Sequence, residues 1–420
     1  MDVGAVLVVA VAIFAWGVAS SRLERADLGA PVVFVALGAV VARVGLVDSP
    51  SAPERLRPLV ELTLVWVLFS DAARIPLREM RPDLGRYARL LGIGLPLTML
   101  AGWGLAAWLF PDLDTWLLLL VAAALAPTDA ALGVCVVTNP VVPAPVRRLI
   151  TVESGLNDGI ATPVVMLALA AAASAEGIAS APGLVEGLVE LAVGALVGAL
   201  AGVAGGRLLR VARRRGWAAE DFVGAGVLAL AVASYAGAVT VHGNGFIAAF
   251  VGGVAFGASA GRRGAAELTF LEQTSGLVSL LVWFAFGAIA GPIMVGRMDA
   301  AAVVYAVLSL TVVRMVPVAL ACLGAGLDRD TVLFVGWFGP RGLASLIFAL
   351  LAVEELGPGA DEVVTIIALT VLLSVVAHGF TAGPLAAWYG ASERRRDIGP
   401  ALPDLPVRGL PRRTTSRAGD

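Results

Sequence analysis

Apolar residues follow one another in runs of about 20, the length a helix needs to cross the roughly 30 Å hydrocarbon core of a bilayer. Polar or Pro/Gly-rich clusters separate the runs, and cutting at those clusters predicts thirteen segments. They begin near residues 3, 27, 58, 87, 113, 145, 184, 221, 244, 275, 299, 330 and 361. The least distinct cut falls at VHGNG, residues 241 to 245. A membrane barrel would show short segments of alternating polarity instead. The pattern therefore predicts an all-α polytopic membrane protein of about 13 transmembrane helices, and an odd count puts the termini on opposite sides.

Composition agrees. Of 420 residues, 59% are hydrophobic and only 15% charged, with a mean hydropathy of +0.89, which excludes a soluble globular domain of this length. The net charge of -2 says little, because the placement of charge matters more than its sum. All 30 cationic residues are arginine, and positive residues collect in cytoplasmic loops, so they test the helix count. With the N-terminus outside, 24 of them fall on the cytoplasmic side. These are Arg22 and Arg25; Arg74, Arg78, Arg81, Arg86 and Arg89; Arg147 and Arg148; Arg207, Arg210 and Arg213 to Arg215; Arg262 and Arg263; Arg329; and seven in the C-terminal stretch. Arg55, Arg57 and Arg297 fall outside, and Arg43, Arg314 and Arg341 fall within spans. A wrong count would have scrambled this alternation. The expected location is the cell membrane, with a cytoplasmic C-terminus. MDVGAVLVVAVAIF lacks a basic n-region and a cleavage site, so the first run is expected to stay as a membrane helix. Cys135 and Cys322 lie in apolar runs and read as small core residues. Residues 391–420, rich in Arg and Pro, predict a disordered cytoplasmic tail. No nucleotide-binding fingerprint follows a strand-like segment.

An ionisable group at mid-bilayer costs roughly 2.5 to 3.5 kcal/mol, so each one needs a partner, water or a function. The fifth segment holds Pro127, which leaves the Ala123 carbonyl without its helical partner, and Thr128 and Asp129 follow at once. Broken helices in lipid are tolerated where freed backbone lines a cavity, and such breaks make ion sites. On the sixth segment, VESGLNDGIA (152 to 161) stacks Ser154 and Asp158 on one face, with Glu153 and Asn157 on the adjoining face. A hydroxyl and a carboxylate are hard oxygen ligands suited to a small cation. Glu153 calls for a buried cation, and Arg341 of the twelfth segment is the candidate. There GWFGPRGLAS repeats the discontinuity, because Pro340 frees the Gly336 carbonyl. The two broken segments are seven apart, which reverses their direction and predicts an inverted repeat of segments 1 to 6 and 8 to 13 whose breaks meet near the midplane.

Other charges have simpler readings. Asp71 and Arg74 suit an intrahelical pair. Arg314 requires a structural partner that the sequence does not identify. Glu186 and Glu190 suit the interface, while His242 reads as a surface residue and His378 as a satisfied core one. The run GALVGALAGVAGG (194 to 206) predicts close helix packing.

Taken together, APTDA (126 to 130), VESGLNDG (152 to 159), NGFIAAFVGG (244 to 253) and WFGPRGLAS (337 to 345) resemble, in order, the motifs of the monovalent cation:proton antiporter-1 family, the sodium/proton exchangers. The resemblance reaches from the first span to about residue 390. It implies an inverted-repeat antiporter fold with two crossed discontinuous helices, segments 5 and 12. Within a transmembrane domain of residues 1–390, it implies a dimerisation part at about 1–80 and 220–297. The core part would cover about 87–173 and 299–390, with a linker helix at 184–206. It implies a homodimer that exchanges a monovalent cation, sodium first, for a proton by alternating access, contributing to pH homeostasis, with no cofactor and no enzymatic activity. Asp158 would be the essential carboxylate, with Asp129, Ser154 and Thr128 completing the sodium site. Asn157 stands where electrogenic relatives carry a second aspartate, which implies electroneutral one-for-one exchange. Glu153 and Arg341 would form a buried pair at the site. A potassium/proton antiporter or a cation efflux system of the same fold is the alternative, and a passive channel is a lesser one. An intramembrane aspartyl protease fits poorly, because Asp158 has no GxGD context and Arg341 has no role in such chemistry.

Overall fold

The computed structural model describes residues 3–24, 29–45, 57–75, 80, 83–129, 132, 134–178, 183–261, 265–295 and 297–395. Among these residues every regular element is helical, in thirteen segments. The first three are α1 (Val3–Glu24), α2 (Ala30–Arg43) and α3 (Arg57–Arg74). The fourth joins α4 (Leu84–Arg89) to α5 (Leu95–Leu109) through one π turn. The fifth is α6 (Thr115–Leu125) with the short α7 (Val134–Val137), and α8 (Ala144–Ala175) follows. Next come α9 (Leu184–Arg214), α10 (Glu220–Thr240), α11 (Gly245–Ser259) and α12 (Ala265–Met294). The eleventh segment is α13 (Ala300–Leu310) with α14 (Val312–Ala321), and the twelfth is α15 (Arg329–Trp337) with α16 (Leu343–Leu356). The last is α17 (Asp361–Arg395).

Seven stretches of the described residues are long and apolar enough to cross a membrane, and shorter apolar helices include α2, α6 and α11. Exposed Leu7, Val11, Phe14 and Val18 line one side of α1, a surface fit for lipid rather than water.

Twelve of the thirteen expected starts lie within three residues of the observed ones. The exception is α12, which begins at Ala265 rather than near 275. Its first turns, AAELTFLEQ, combine good helix formers with two glutamates, so the helix runs on past its apolar stretch. The doubtful cut at 241 to 245 is real: His242 takes a positive φ of 57°, and the Asn244 side chain caps α11 by accepting from the Ile247 N–H at 3.0 Å. The expected disordered tail is corrected at its start, because α17 continues to Arg395; residues 396–420 lie outside the described residues. So do Arg25, Arg55, Arg78, Arg81, Arg262 and Arg263. One break was not foreseen. The eleventh segment is interrupted at Thr311 (φ -107°, ψ -89°), just ahead of Arg314.

Helices α2, α3 and α9–α12 pack on one another, and α5, α6, α8 and α13–α17 form a second set. The sets meet where α3 and α11 run against α8 and where α12 touches α16 and α17. One apolar core runs through both, from Phe69 and Phe256 to Phe348 and Ile367. Helices α9 and α11 pair closely, their backbones approaching because α9 places Gly198 and Gly202 over Ala248 and Gly252. Gly198→Leu would push a side chain into the Ala248 carbonyl, whereas Gly187 of the same helix faces open space. Overpacking of this kind costs about 1–3 kcal/mol. The expected outcome is a lowered melting temperature in detergent for Gly198→Leu and an unchanged one for Gly187→Leu, measured on purified protein.

Candidate cation and proton site

Proline deprives each interrupted segment of backbone hydrogen bonds that lipid cannot replace. The two interruptions supply them to each other. Asp129 N–H donates to the Pro340 carbonyl at 2.8 Å, and the Asp129 carboxylate accepts from Leu343 N–H at 3.2 Å, at the first turn of α16. In return, one nitrogen of Arg341 donates to the Ala126 and Pro127 carbonyls at 2.8 and 3.1 Å, just past the C-terminus of α6. A cation is favoured there by the negative end of the helix dipole. Gly342 makes the contact possible, since a Cβ at that position would run into the Asp129 carboxylate.

Helix α8 carries the other half of the site. Thr128 Oγ1 and Ser154 Oγ share a hydrogen bond of 2.9 Å, and Asn157 Nδ2 donates to Thr128 Oγ1 at 2.7 Å. The unwound residues after α6 are thereby tied to α8. Asn157 is fully buried, and its Oδ1 finds no donor among the described residues. Asp158, one turn from Ser154, is 8% exposed, with Asp129 and Asp71 as its acidic neighbours in electrostatic reach. Asp129 is half-buried. Thr128, Ser154, Asn157, Asp158 and Asp129 are thus gathered where α8 passes the first interruption.

The expected pairing of Glu153 with Arg341 is corrected. Glu153 Oε1 meets Arg314 Nη1 at 2.6 Å, with both side chains at least nine-tenths buried. Arg341, fully buried, is held by carbonyls instead. The reason is reach: the break at Thr311 and α14 bring Arg314 to α8, while Arg341, within the second interruption, lies against the end of α6. Gly339 leaves room for Arg314 and Thr128, because a Cβ there would fall 2.6 Å from the guanidinium and 2.9 Å from the threonine methyl.

The sequence reading missed two features. Asp71 does pair with Arg74, at 3.8 Å, but α3 also presents it toward Asp158, passing α8 with the Asp71 carbonyl 3.7 Å from where a Gly155 Cβ would lie. The second is the backbone cap of the second interruption, in which Ser374 Oγ of α17 accepts from Arg341 N–H at 2.7 Å. An acid facing across two helices leaves no periodic signal, and neither does a serine serving a distant backbone group.

A family profile described as sodium/hydrogen exchanger, transmembrane, matches residues 7–388. A Na(+)/H(+) antiporter of Saccharomyces cerevisiae is 33% identical over 118 residues, a match that covers 26% of this chain and only 12% of that protein. Among solved structures, the sodium proton antiporter MjNhaP1 from Methanocaldococcus jannaschii at pH 8 superposes with a TM-score of 0.76 at 19% identity, covering 91% of this chain and 97% of that one. An electron-microscopy map of the same antiporter gives 0.72 with the same identity and coverage. The likeness of fold spans the whole membrane region, and by the match over residues 7–388 the chain belongs to the sodium/hydrogen exchanger family.

Proposed function

We propose that this protein exchanges one sodium ion for one proton, with Asp158 as the carboxylate for which the two compete. The observation that carries the reading is a count of charge around the interruptions. Beside the Asp71–Arg74 pair, which balances itself, the carboxylates are Asp129, Asp158 and Glu153 and the guanidinium groups are Arg314 and Arg341, three against two. Empty and ionised, the site holds one net negative charge, and one proton or one sodium ion cancels it. A buried unbalanced charge costs several kcal/mol, so the neutral loaded forms can cross while the empty form stays. Obligatory exchange follows, and so does electroneutrality. Asn157 matters here, because an aspartate in its place would add a second negative charge.

Sodium is a hard cation, matched by the Asp158 and Asp129 carboxylates and the Thr128 and Ser154 hydroxyls. Asn157 orients Thr128 and contributes Oδ1 as a further acceptor. The Glu153–Arg314 pair and Arg341 fix the geometry. The same reading includes crossing of the two interrupted segments at this point and alternating access. It also includes a homodimer built on residues of about 1–80 and 220–297, a core of about 87–173 and 299–390, and an outside N-terminus with the arginine-rich ends in the cytoplasm. Potassium in place of sodium is the second reading, favoured by the same oxygen donors.

Asp158→Asn is expected to abolish sodium-driven proton flux in proteoliposomes while eluting and melting as the parent does; normal flux in that variant refutes the assignment. In the parent, the rate should not change when a potassium gradient with valinomycin sets the membrane potential, and a potential-dependent rate sinks the one-for-one stoichiometry. Glu153→Gln strands Arg314 as a buried cation, a loss of about 3–5 kcal/mol. A sharp fall in melting temperature is expected, largely restored in Glu153→Leu/Arg314→Met; equal stability of parent and single variant contradicts the pairing.

A further inference from the structure

In an unbroken helix, Arg341 N–H would donate to the carbonyl of Trp337, four residues earlier. The second interruption separates this donor from this acceptor, and two side chains of α17 stand between them. Ser374 Oγ takes the Arg341 N–H at 2.7 Å and lies 3.1 Å from His378 Nδ1. His378 Nε2 lies 2.8 Å from the Trp337 carbonyl, which also accepts from Gly339 N–H at 2.8 Å. The imidazole stacks on the Trp337 indole, centroids 5.1 Å apart, and meets Phe338 edge-on at 6.4 Å. Both Ser374 and His378 are buried, so water does not compete for these bonds.

One neutral form satisfies the most donors and acceptors, although its bare Nδ1 also lies 2.8 Å from the Ser374 carbonyl. With its oxygen accepting from Arg341, the Ser374 hydroxyl has its own proton to give, and Nδ1 is the acceptor at hand. That leaves the ring proton on Nε2, where it donates to the Trp337 carbonyl. A proton on Nδ1 would turn instead to the Ser374 carbonyl, 2.8 Å away, and the hydroxyl would lose its acceptor. The charged groups that face the ring are Arg341 from the interruption and Arg314 from α14, so a ring cation would add a third positive charge to the cluster.

We propose that His378 is a positioning residue for the exchange. Through Ser374 it holds the two separated ends of the second interruption at a fixed spacing, which sets Arg341 on the α6 carbonyls and Leu343 N–H on Asp129. The functional part of this inference rests on the exchange reading of the site; the hydrogen-bond relay itself does not.

The chain has two histidines, His242 and His378, so His242→Ala leaves one imidazole to observe. In nitrogen-15 spectra of that protein we expect a neutral ring protonated on Nε2 between pH 6 and 8, with a shift toward the Nδ1–H form on Ser374→Ala. A ring protonated on Nδ1, or doubly protonated, throughout that range overturns the relay. In proteoliposomes, Ser374→Ala and His378→Leu should each raise the apparent KM for sodium about two- to tenfold, the range set by one net hydrogen bond, with maximal flux within about twofold. The double variant should be no worse than the worse single one, because both break the same relay. His378→Gln, whose amide can donate to the Trp337 carbonyl, should recover most of the affinity. Unchanged KM and pH profile in Ser374→Ala and His378→Leu, or additive effects in the double variant, overturn the proposal. Where His378→Leu does not accumulate as folded protein, Ser374→Ala and His378→Gln decide it by the same readouts. A parent protein that exchanges no cation sinks the functional reading instead, and the spectra then judge the relay alone.

Discussion

Two helices broken inside a membrane each leave backbone groups that lipid cannot satisfy, and here each break is completed by the other. Asp129 serves the second break twice, once through its N–H and once through its carboxylate, while Arg341 serves two carbonyls of the first. Because the exchange is reciprocal, neither interruption can move far without stranding the groups of the other. An unsatisfied buried donor or acceptor costs about 1–3 kcal/mol, so four such contacts weigh heavily against the net stability of any domain. The polar residues of α8 then join a frame that is already fixed, through the Thr128–Ser154 and Asn157–Thr128 bonds.

The frame also settles which arginine does what. Among the described residues Arg341 forms no ion pair; it lies at the negative end of α6 and offers charge to backbone oxygens. Arg314 takes the charge of Glu153. With Glu153 neutralised by Arg314 and Asp71 paired with Arg74, the acids left at the interruption are Asp129 and Asp158. Asp129 is engaged with the first turn of α16, whose N–H groups favour an anion. No side-chain hydrogen bond of Asp158 is found among the described residues; the contact it makes beyond the helix ladder is through its backbone carbonyl, which accepts from Thr162 Oγ1 at 2.7 Å. The carboxylate least committed to holding the fold is thus the one best placed to change partners.

Much of this could be read from the chain. Hydropathy with the arginine alternation delivered thirteen segments, and proline at 127 and 340 delivered the two breaks, because a missing N–H acts locally. The stacking of Ser154 and Asp158 was legible too, since i, i+4 spacing on α8 is a local rule, while Thr128 was joined to them only by the family resemblance. What escaped was pairing at a distance. Glu153 could be assigned a cation but not the right one, because the sequence shows no sign that Thr311 interrupts the eleventh segment and swings Arg314 toward α8. His378 looked like a satisfied core residue, and it is one; the sequence does not say that its satisfaction lies across the second break. The start of α12 was misplaced because the search followed hydrophobicity, while helix propensity extends past it.

The proposed exchange also requires one set of helices to shift against the other, and the contacts at the boundary suit a sliding surface. Where α8 passes α3 and α11 it presents Gly155 and Gly159, the latter under the ring of Phe250. Small residues there let the helices approach closely, and no described ion pair joins α8 to α3 or α11. The α9–α11 contact is of another kind, backbone laid on backbone at Gly198 and Gly202, which favours a rigid unit. One polar tie between the sets lies where Arg57 of α3 reaches Glu354 of α16 at 3.1 Å while also holding Glu61 at 2.8 Å. Arg57 is half exposed, so that bridge is weak and can reform with water at little cost. The hydrogen bonds that join Thr128, Ser154 and Asn157 lie within one set, and the Arg57–Glu354 bridge between the sets is one that water can replace; the proposed exchange needs this division, so that the site keeps its geometry while its surroundings change.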